Sequence, residues 1–544
     1  MTGSNAARHM DWRTAFLVFA AALLLRLALL PLAELDTGDT AARIWLGWQW
    51  ADDPFLITRE LWGPLHFYLI GAVLSIWPDP VWAPLALHVV LGSFVAVIAY
   101  QLTLELFGER RAALAAGLIF AVYPAALAVS LGARAETPFM FFLGLAMIGL
   151  VRAWRPDGRL SHAAFAGIAA TLASALRYEA WLLLPFLVLV LLMARRPRHA
   201  AVFLAIAMIH PLIWMTGHAI AFGNPLHSLM TTATWLEDVM GRAPDTSLLP
   251  GIGRIIRLVG RTAAEMTIPV SLLLAAGIVR CLRQKRLESV WLIPPVGLFL
   301  IFAISLFRNT MIPKSGYTTT FGLLLIPFIA CALEWMGVAR WSRARGLASA
   351  LVLFVVMATF MVPPVTRRLP ASSWLDANPV PSIPDEASMR ELQSLIERAG
   401  LRREQDGLIS DFFGHLPTPY VAWQTRLHPN QICRAPGGQN VPLTAEQIEI
   451  FLTNNRSGVI VTLPGGRIAD QLKLGADGSG TLAGIPVRLD PVGKLDWVSK
   501  DRDSQFGTLS VARYEVVGGD KIAARPRLTC TAACSTSFCR EASS

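Results

Sequence analysis

Long apolar runs fill the first two thirds of the chain and then stop. They cover about 14–33, 81–106, 112–132, 136–152, 161–176, 180–194, 200–221, 266–282, 289–306, 318–337 and 346–364. A run of roughly 17–25 apolar residues is long enough to cross a bilayer as a helix. The pattern predicts about eleven spans, of which 161–176 and 180–194 are short and could run together. No helical period separates one face of a run from the other, as expected where lipid surrounds the fold. Leu61–Trp77 is apolar but broken by Gly63, Pro64 and His66, and reads as re-entrant or interfacial.

From about Thr366 polar residues, Gly and Pro rise and no further run of spanning length appears. Residues 366–384 are proline-rich and read as a linker. In Asp385–Gly400 the apolar positions Met389, Leu392, Leu395, Ile396 and Ala399 have the spacing of an amphipathic helix, closed by Gly400. Thr444 with Gln447 suits a capping box opening a helix through Phe451. Ser457–Leu463 and Thr508–Val517 read as strands. The expected architecture is a polytopic α-helical membrane domain, residues 14–365, with a C-terminal soluble α/β domain, residues 385–544.

Composition agrees. Of 544 residues, 54% are hydrophobic and 16% charged, with a mean hydropathy of +0.49. A soluble domain carries about 25% charged residues, so an ordinary cytosolic enzyme is excluded. Disordered and fibrous chains are excluded too, because neither holds this much Leu, Ala, Ile and Phe. The net charge of +10 would suit a nucleic-acid partner if the cations were clustered for one. They instead lie on alternate loops: Arg8 and Arg13, Arg110 and Arg111, Arg152 to Arg159, Arg195 to Arg198, Arg280 to Arg286, Arg340 to Arg345. That alternation is the positive-inside pattern. It puts the tail, residues 1–13, in the cytoplasm and makes residues 34–80 a large first outer loop. Eleven spans then leave the C-terminal domain extracytoplasmic, and no nucleic-acid partner is expected.

The first span follows a basic stretch, yet Leu32-Ala33-Glu34 offers no small-residue cleavage site, so it reads as an anchor. Met1–Met10 reads as a flexible tail. Cys433, Cys530, Cys534 and Cys539 fall in the outer domain, where two disulfides with three possible pairings are expected. Zinc ligation by Cys530, Cys534 and Cys539 competes, but no clustered His accompanies them.

Charges at membrane depth or at its rim are costly and mark candidate function. The first outer loop is the richest, with Glu34, Asp36, Asp39, Arg43, Asp52, Asp53, Arg59 and Glu60, then Trp62 through His66 and Tyr68. Asp52 and Asp53 read as solvated loop residues. Asp36 and Asp39 sit at the end of a span, where a carboxylate can act as a general base toward a hydroxyl or amine. Glu136 stands at the start of a helix, as a dipole partner or a second acid. Arg177 and Glu179, between two runs on the outer side, read either as a structural ion pair or as a phosphate contact. Arg308 and Lys314 precede the span at Tyr317 from outside, against the positive-inside trend. Arg26, within the first span, reads as buried against the protein interior. Acids and cations on one face suggest transfer from a phosphate-activated lipid donor.

The motifs themselves point the same way. Leu25-Arg26 through Pro31 followed by Gly38-Asp39 resembles the opening of membrane glycosyltransferases of the GT-C superfamily, of the protein mannosyltransferase and aminoarabinose transferase kind. Leu61-Trp-Gly-Pro64-Leu65-His66-Phe-Tyr68 is similar to their Pro-Pro-Leu-x-Tyr-Trp stretch, and Phe107-Gly-Glu-Arg-Arg to the turn that follows. Ser130–Pro138 resembles the segment with their second acid, Gly223-Asn-Pro-Leu their Gly-Asn-Pro turn, and Lys314-Ser-Gly-Tyr317 through Pro327 their closing helix. The resemblance covers about 14–340. Thr40 stands where the family commonly has an acid, and Pro64 is preceded by Gly63.

The resemblance implies a hexosyl- or pentosyltransferase that moves a sugar from a polyprenyl-phosphate-linked donor to a lipid, glycan or protein acceptor at the outer face of a bacterial inner membrane. Asp39 would be the base, with Asp36 beside it and Glu136 as the second acid. Arg177 and Lys314 would meet the donor phosphate, and His66 and Tyr68 would shape the donor pocket. Arg59, Glu179 and Tyr317 complete the substrate-binding candidates. No cofactor is required by these motifs; Asp36 and Asp39 do not form a metal-binding Asp-x-Asp, although a divalent metal is compatible with such chemistry. The alternative is a transporter or flippase of a lipid-linked saccharide, which should show two related halves; no repeat is present.

Overall fold

The computed structural model describes residues 10–32, 39–52, 54, 56–57, 62–231, 245–311, 315–337, 386–402, 405–410, 426–428, 431–434, 445–464, 467–475, 477–498 and 505–517. The chain divides into two compact units that interleave along the sequence. The first holds residues 1–35, 55–66 and 85–377; the second holds 36–54, 67–84 and 378–544.

The first unit is a helical bundle. Helix α1 (Trp12–Leu29) starts at Asp11, whose carboxylate accepts the Arg13 amide and the Thr14 hydroxyl. Helix α2 (Asp39–Asp52) belongs to the second unit, as does most of α3 (Leu65–Ile76). Then come α4 (Trp82–Phe107), α5 (Arg110–Ala121), α6 (Pro124–Leu131), α7 (Glu136–Trp154), α8 (Leu160–Ser174) and α9 (Glu179–Met193). They are followed by α10 (Pro197–Ala207), α11 (Ile209–Phe222), α12 (Leu248–Glu265), α13 (Ile268–Arg283), α14 (Ile293–Phe307), α15 (Ser315–Leu325) and α16 (Ile329–Trp335).

Among the described residues six helices, or up to eight counting each bent pair as one, are long and apolar enough to cross a membrane. Ten of the eleven expected runs coincide with helices, several of them short; the run at 346–364 lies outside the described residues. Proline accounts for one break: α5 and α6 meet at 50° where Pro124 opens α6. Helices α12 and α13 meet at 106°, with Thr267 in the left-handed region (φ 67°) and a proline in the first turn of α13. The apolar pattern does not mark α12, because Arg254, Arg257 and Arg261 interrupt its apolar positions.

Small residues let these helices approach closely, as dispersion packing in a membrane requires. A β-carbon on Gly149 of α7 would lie 2.9 Å from Ala166 of α8, and one on Gly167 of α8 2.8 Å from Ile206 of α10. Arg26 is fully buried: Nε donates to Ser130 Oγ (3.0 Å), and Nη1 to the carbonyls of Ala22 (3.1 Å) and Ala121 (3.4 Å). Ala121 ends α5 at the proline bend, so the cation reaches a carbonyl that the broken helix leaves available. Gly223 (φ 68°) closes α11 and Asn224 Oδ1 accepts the Leu226 amide, forming the Gly-Asn-Pro turn.

Helix α7 carries charge at both ends. At its last turn, Arg152 and Arg155 hold the buried Glu105 of α4 at 2.7 and 2.6 Å. Glu136 begins the same helix, about 24 Å away along its axis from Arg152 at 1.5 Å per residue.

In the second unit, α2 and α3 cross at reciprocal glycines. A β-carbon on Gly47 would lie 2.7 Å from Ile70, and one on Gly71 would collide with Trp50. The C-terminal part forms a seven-stranded mixed sheet in the order β2-β1-β3-β7-β6-β5-β4. Its strands are β1 (Gly407–Ser410), β2 (Ile432–Arg434), β3 (Ser457–Thr462), β4 (Leu472–Leu474), β5 (Ser479–Leu482), β6 (Ile485–Val498) and β7 (Gln505–Val516). β1 runs parallel to β2 and β3, and the other pairings are antiparallel. Helices α17 (Glu386–Arg398), α18 (Ala445–Asn454) and α19 (Arg467–Gln471) complete it. Ile409, Ile448, Phe451, Ile460, Val487 and Tyr514 fill the core.

Asp406, immediately before β1, is the polar centre of this sheet domain and is fully buried. It accepts the amide and guanidinium of Arg402 (2.7 and 3.0 Å), the Ser457 hydroxyl (2.6 Å) and Arg513 Nη2 (3.1 Å). Burial pushes its carboxyl up, but the hydrogen bonds from Arg402 and Ser457 and the charge of Arg513 outweigh that and hold it at about 2. The helix and both strands expected from the sequence are α17, β3 and β7. The helix expected after Thr444 is α18, with Thr444 outside the described residues.

Candidate active site

Two helices of the first unit begin with a glutamate, and one arginine joins them. Glu136 opens α7 and Glu179 opens α9, where the positive end of each helix dipole favours a carboxylate. Arg177, in the turn before α9, places Nη1 2.8 Å from Glu136 and Nη2 2.5 Å from Glu179. Its Nε also donates to Glu179, at 2.8 Å. Arg134 lies 3.6 Å from the same Glu136 oxygen. The Arg177 guanidinium lies over the rings of Tyr317 (5.6 Å) and Phe139 (5.9 Å). Gly316 of α15 is packed against the Glu136 carboxylate. Glu136, the pair Arg177 and Glu179, and Tyr317, from three separate parts of the chain, therefore form one largely buried cluster.

A third, half-buried acid meets the start of α15. Thr318 of α15 donates to Glu265, the last residue of α12, and Arg261 Nε pairs with that carboxylate at 2.9 Å. Tyr123 Oη in turn donates to the Thr318 carbonyl (3.0 Å). Sequence reasoning missed this group. The signal was present: an Arg-x-x-x-Glu pair at i, i+4 directly before the apolar run that starts at Met266.

His66 also lies in the first unit. Its Nε2 is 2.9 Å from Nε2 of His88, both rings being fully buried, so one imidazole donates and the other accepts. The chain leading into α3 is fixed by the Leu65 amide, which donates to the Ala175 carbonyl (3.0 Å), and by Gly63, which lies against the Ala175 backbone. That backbone is two residues from Arg177.

In the second unit Asp39 is the first residue of α2, and Tyr68 of α3 packs on Trp50 of α2 with ring centroids 5.0 Å apart. Asp36, Arg59 and Lys314 lie outside the described residues, as do Cys530, Cys534 and Cys539; Cys433 lies in β2. Among the described residues no three His, Cys, Asp or Glu side chains are grouped as a metal ion would need. Beside Trp181, in the first turn of α9, opens an apolar cavity of about 450 Å³ lined also by Leu184, Pro185, Leu204, Met208 and Pro211.

Residues 62–220, which hold His66, Glu136, Arg177 and Glu179, match the dolichyl-phosphate-mannose-protein mannosyltransferase family. The fold as a whole is similar to that of ArnT from Cupriavidus metallidurans. The structure of that protein bound to undecaprenyl phosphate superposes with a TM-score of 0.59 at 14% identity, over 92% of this chain and 97% of ArnT. Its apo form gives 0.57 at 15% identity over the same shares. The membrane part has the GT-C fold. No curated protein matches the sequence. The expected GT-C architecture, a polytopic membrane bundle followed by a sheet domain, is therefore correct.

Proposed function

We propose that this GT-C protein transfers a sugar from a polyprenyl-phosphate-linked donor to an envelope acceptor at the outer face of a bacterial inner membrane. The observation that carries the reading is the largely buried cluster of Glu136, Arg177, Glu179 and Tyr317 within the segment of the chain that matches the mannosyltransferase family and at the start of α15. Bound polyprenyl phosphate in a structural relative and the apolar cavity beside α9 support the donor class. The basic alternate loops support the orientation, with the C-terminal domain outside.

In this reading Asp39, or Asp36 three residues before it, takes the proton of the acceptor hydroxyl or amine. The acceptor atom bonds to the anomeric carbon as the bond from that carbon to the phosphate oxygen breaks, and polyprenyl phosphate leaves with the electron pair. Both ends of the Arg177 guanidinium already meet carboxylates, so it fixes Glu136 and Glu179 in place. Lys314 and Arg59 then remain to receive the phosphate, and His66 and Tyr68 to bound the sugar. Outside the membrane, the four C-terminal cysteines form two disulfides.

The test is transfer in nanodiscs from a panel of polyprenyl-phosphate hexoses and pentoses, with mass spectrometry of envelope glycans and lipids from a deletion strain. Loss of one envelope sugar, and loss of transfer in the doubly substituted Asp36→Asn, Asp39→Asn protein, are expected. Full transfer by that double variant would remove the assignment of the base. An unchanged envelope in the deletion strain would instead favour a carrier of lipid-linked saccharide.

A further inference from the structure

The second unit contains a contact that no part of the transfer chemistry requires. The turn Arg426–His428 of the C-terminal sheet domain meets acids at the ends of two elements from the first loop region. His428 Nε2 lies 3.0 Å from the carboxylate of Asp52, the last residue of α2, and its ring sits edge-on to Trp48 at 5.0 Å. Arg426 Nη1 lies 3.4 Å from Asp79. Asp79 in turn caps α4 by accepting the amides of Val81 and Trp82, each at 2.9 Å.

The turn is held from its own side as well. Arg426 has a left-handed backbone (φ 57°), a conformation that a non-glycine residue keeps only where its surroundings impose it. Leu427, between Arg426 and His428, is fully buried. The His428 amide donates to Gln431 Oε1 (3.0 Å), and Gln431 Nε2 donates to the carbonyl of Asp406 (3.0 Å), the polar centre of the sheet. A continuous set of contacts thus runs from the sheet core to the end of α2.

We propose that Arg426–His428 is a positioning clasp: through Asp52 it sets the angle of α2, and so the place of Asp39 at the other end of that helix. The inference rests on the reading of Asp39 as the base. Helix α2 crosses α3 at Gly47, about 12 Å from Asp39, so a tilt of about 5° about that crossing moves its first residue by about 1 Å. A displacement of that size can lower a rate by about 100-fold. The crossing of α2 on α3 supplies the pivot: Gly47 gives room to Ile70 of α3 and Gly71 to Trp50 of α2, so the two helices pack closely there. His428 and Asp52 are then positioning residues for transfer, and the C-terminal domain is a working part of the enzyme.

The test uses the full chain in nanodiscs and reads α2 directly, by amide hydrogen exchange of peptides covering residues 39–52. His428→Ala and Asp52→Ala should each raise that exchange and lower kcat by about 10- to 100-fold, with the donor KM within about threefold of wild type. The exchanged pair, Asp52→His with His428→Asp, should restore both. A merely structural role would lower stability without the selective loss of kcat at an unchanged donor KM. Unaltered exchange in the single variants, or failure of the exchanged pair to restore it, overturns the clasp. If α2 follows the pair but the wild-type protein transfers no sugar, the clasp stands and the proposed function falls.

Discussion

Gly316 of α15 leaves no space for a side chain beside Glu136: a β-carbon there would collide with the carboxylate. Gly316→Ala should push Glu136 away from Arg177 while leaving a helix that alanine favours. Transfer should fall by about 10- to 100-fold with thermal stability nearly unchanged. Paired activity and melting measurements on the purified protein check this, and wild-type activity in the variant would separate Glu136 from the site.

Removing Arg177 leaves two buried carboxylates, Glu136 and Glu179, without the cation that joins them. Breaking a buried ion pair from one side costs about 3–5 kcal/mol. Arg177→Met should therefore lower the melting temperature in detergent markedly. Arg177→Lys should recover only part of that loss, because one ammonium cannot reproduce the fork that meets both acids. Equal stability of the Lys variant and wild type would show that charge alone suffices.

Acid should weaken the sheet domain through Asp406. Its carboxyl stands at about 2 in the folded protein against an ordinary value of 3.8. A depressed carboxyl stabilises the fold fully above its unfolded value, and the contribution fades as the pH falls through the folded one. The domain should thus lose about 2 kcal/mol between about pH 4.5 and pH 1.5 from this group. Asp406→Asn should be less stable at neutral pH and show a flatter acid dependence over that window. Chemical denaturation of the full-length protein, followed by hydrogen exchange in β1 and β3, measures both.

Much of this fold is legible in the sequence because a membrane imposes an unbroken apolar run on each span. Helix α12 escaped for the converse reason. Two of its three arginines are satisfied inside the protein, Arg254 by Asp245 and by the carbonyls of Leu306 and Phe307, and Arg261 by Glu265. The long strand β6 escaped because Pro486, Pro491 and Gly493 disguise it, and the register shift beside Pro491 shows how the sheet accommodates them.

At the site, the cost of charge near a membrane is enough to single out Glu136, Arg177 and Glu179 from the sequence alone. Their partners are another matter, since Glu136 and Arg177 are distant in sequence and meet only through packing. Of the two readings of Arg177 and Glu179, an ion pair or a phosphate contact, the ion pair is present in the structure and extends to Glu136. Arg26, expected to be buried, is buried on carbonyls and Ser130.

Helix α7 has an ionic lock at each end, Glu136 with Arg177 at the first turn and Arg152 with the buried Glu105 at the last. A helix pinned at one end can slide along its axis to follow a thicker or thinner bilayer; one pinned at both ends cannot without breaking a buried pair. The lipid must therefore adapt to α7, stretching or thinning around the bundle where the thickness does not match. The place of Glu136 within the bundle is then set by the protein and not by the composition of the bilayer that holds it.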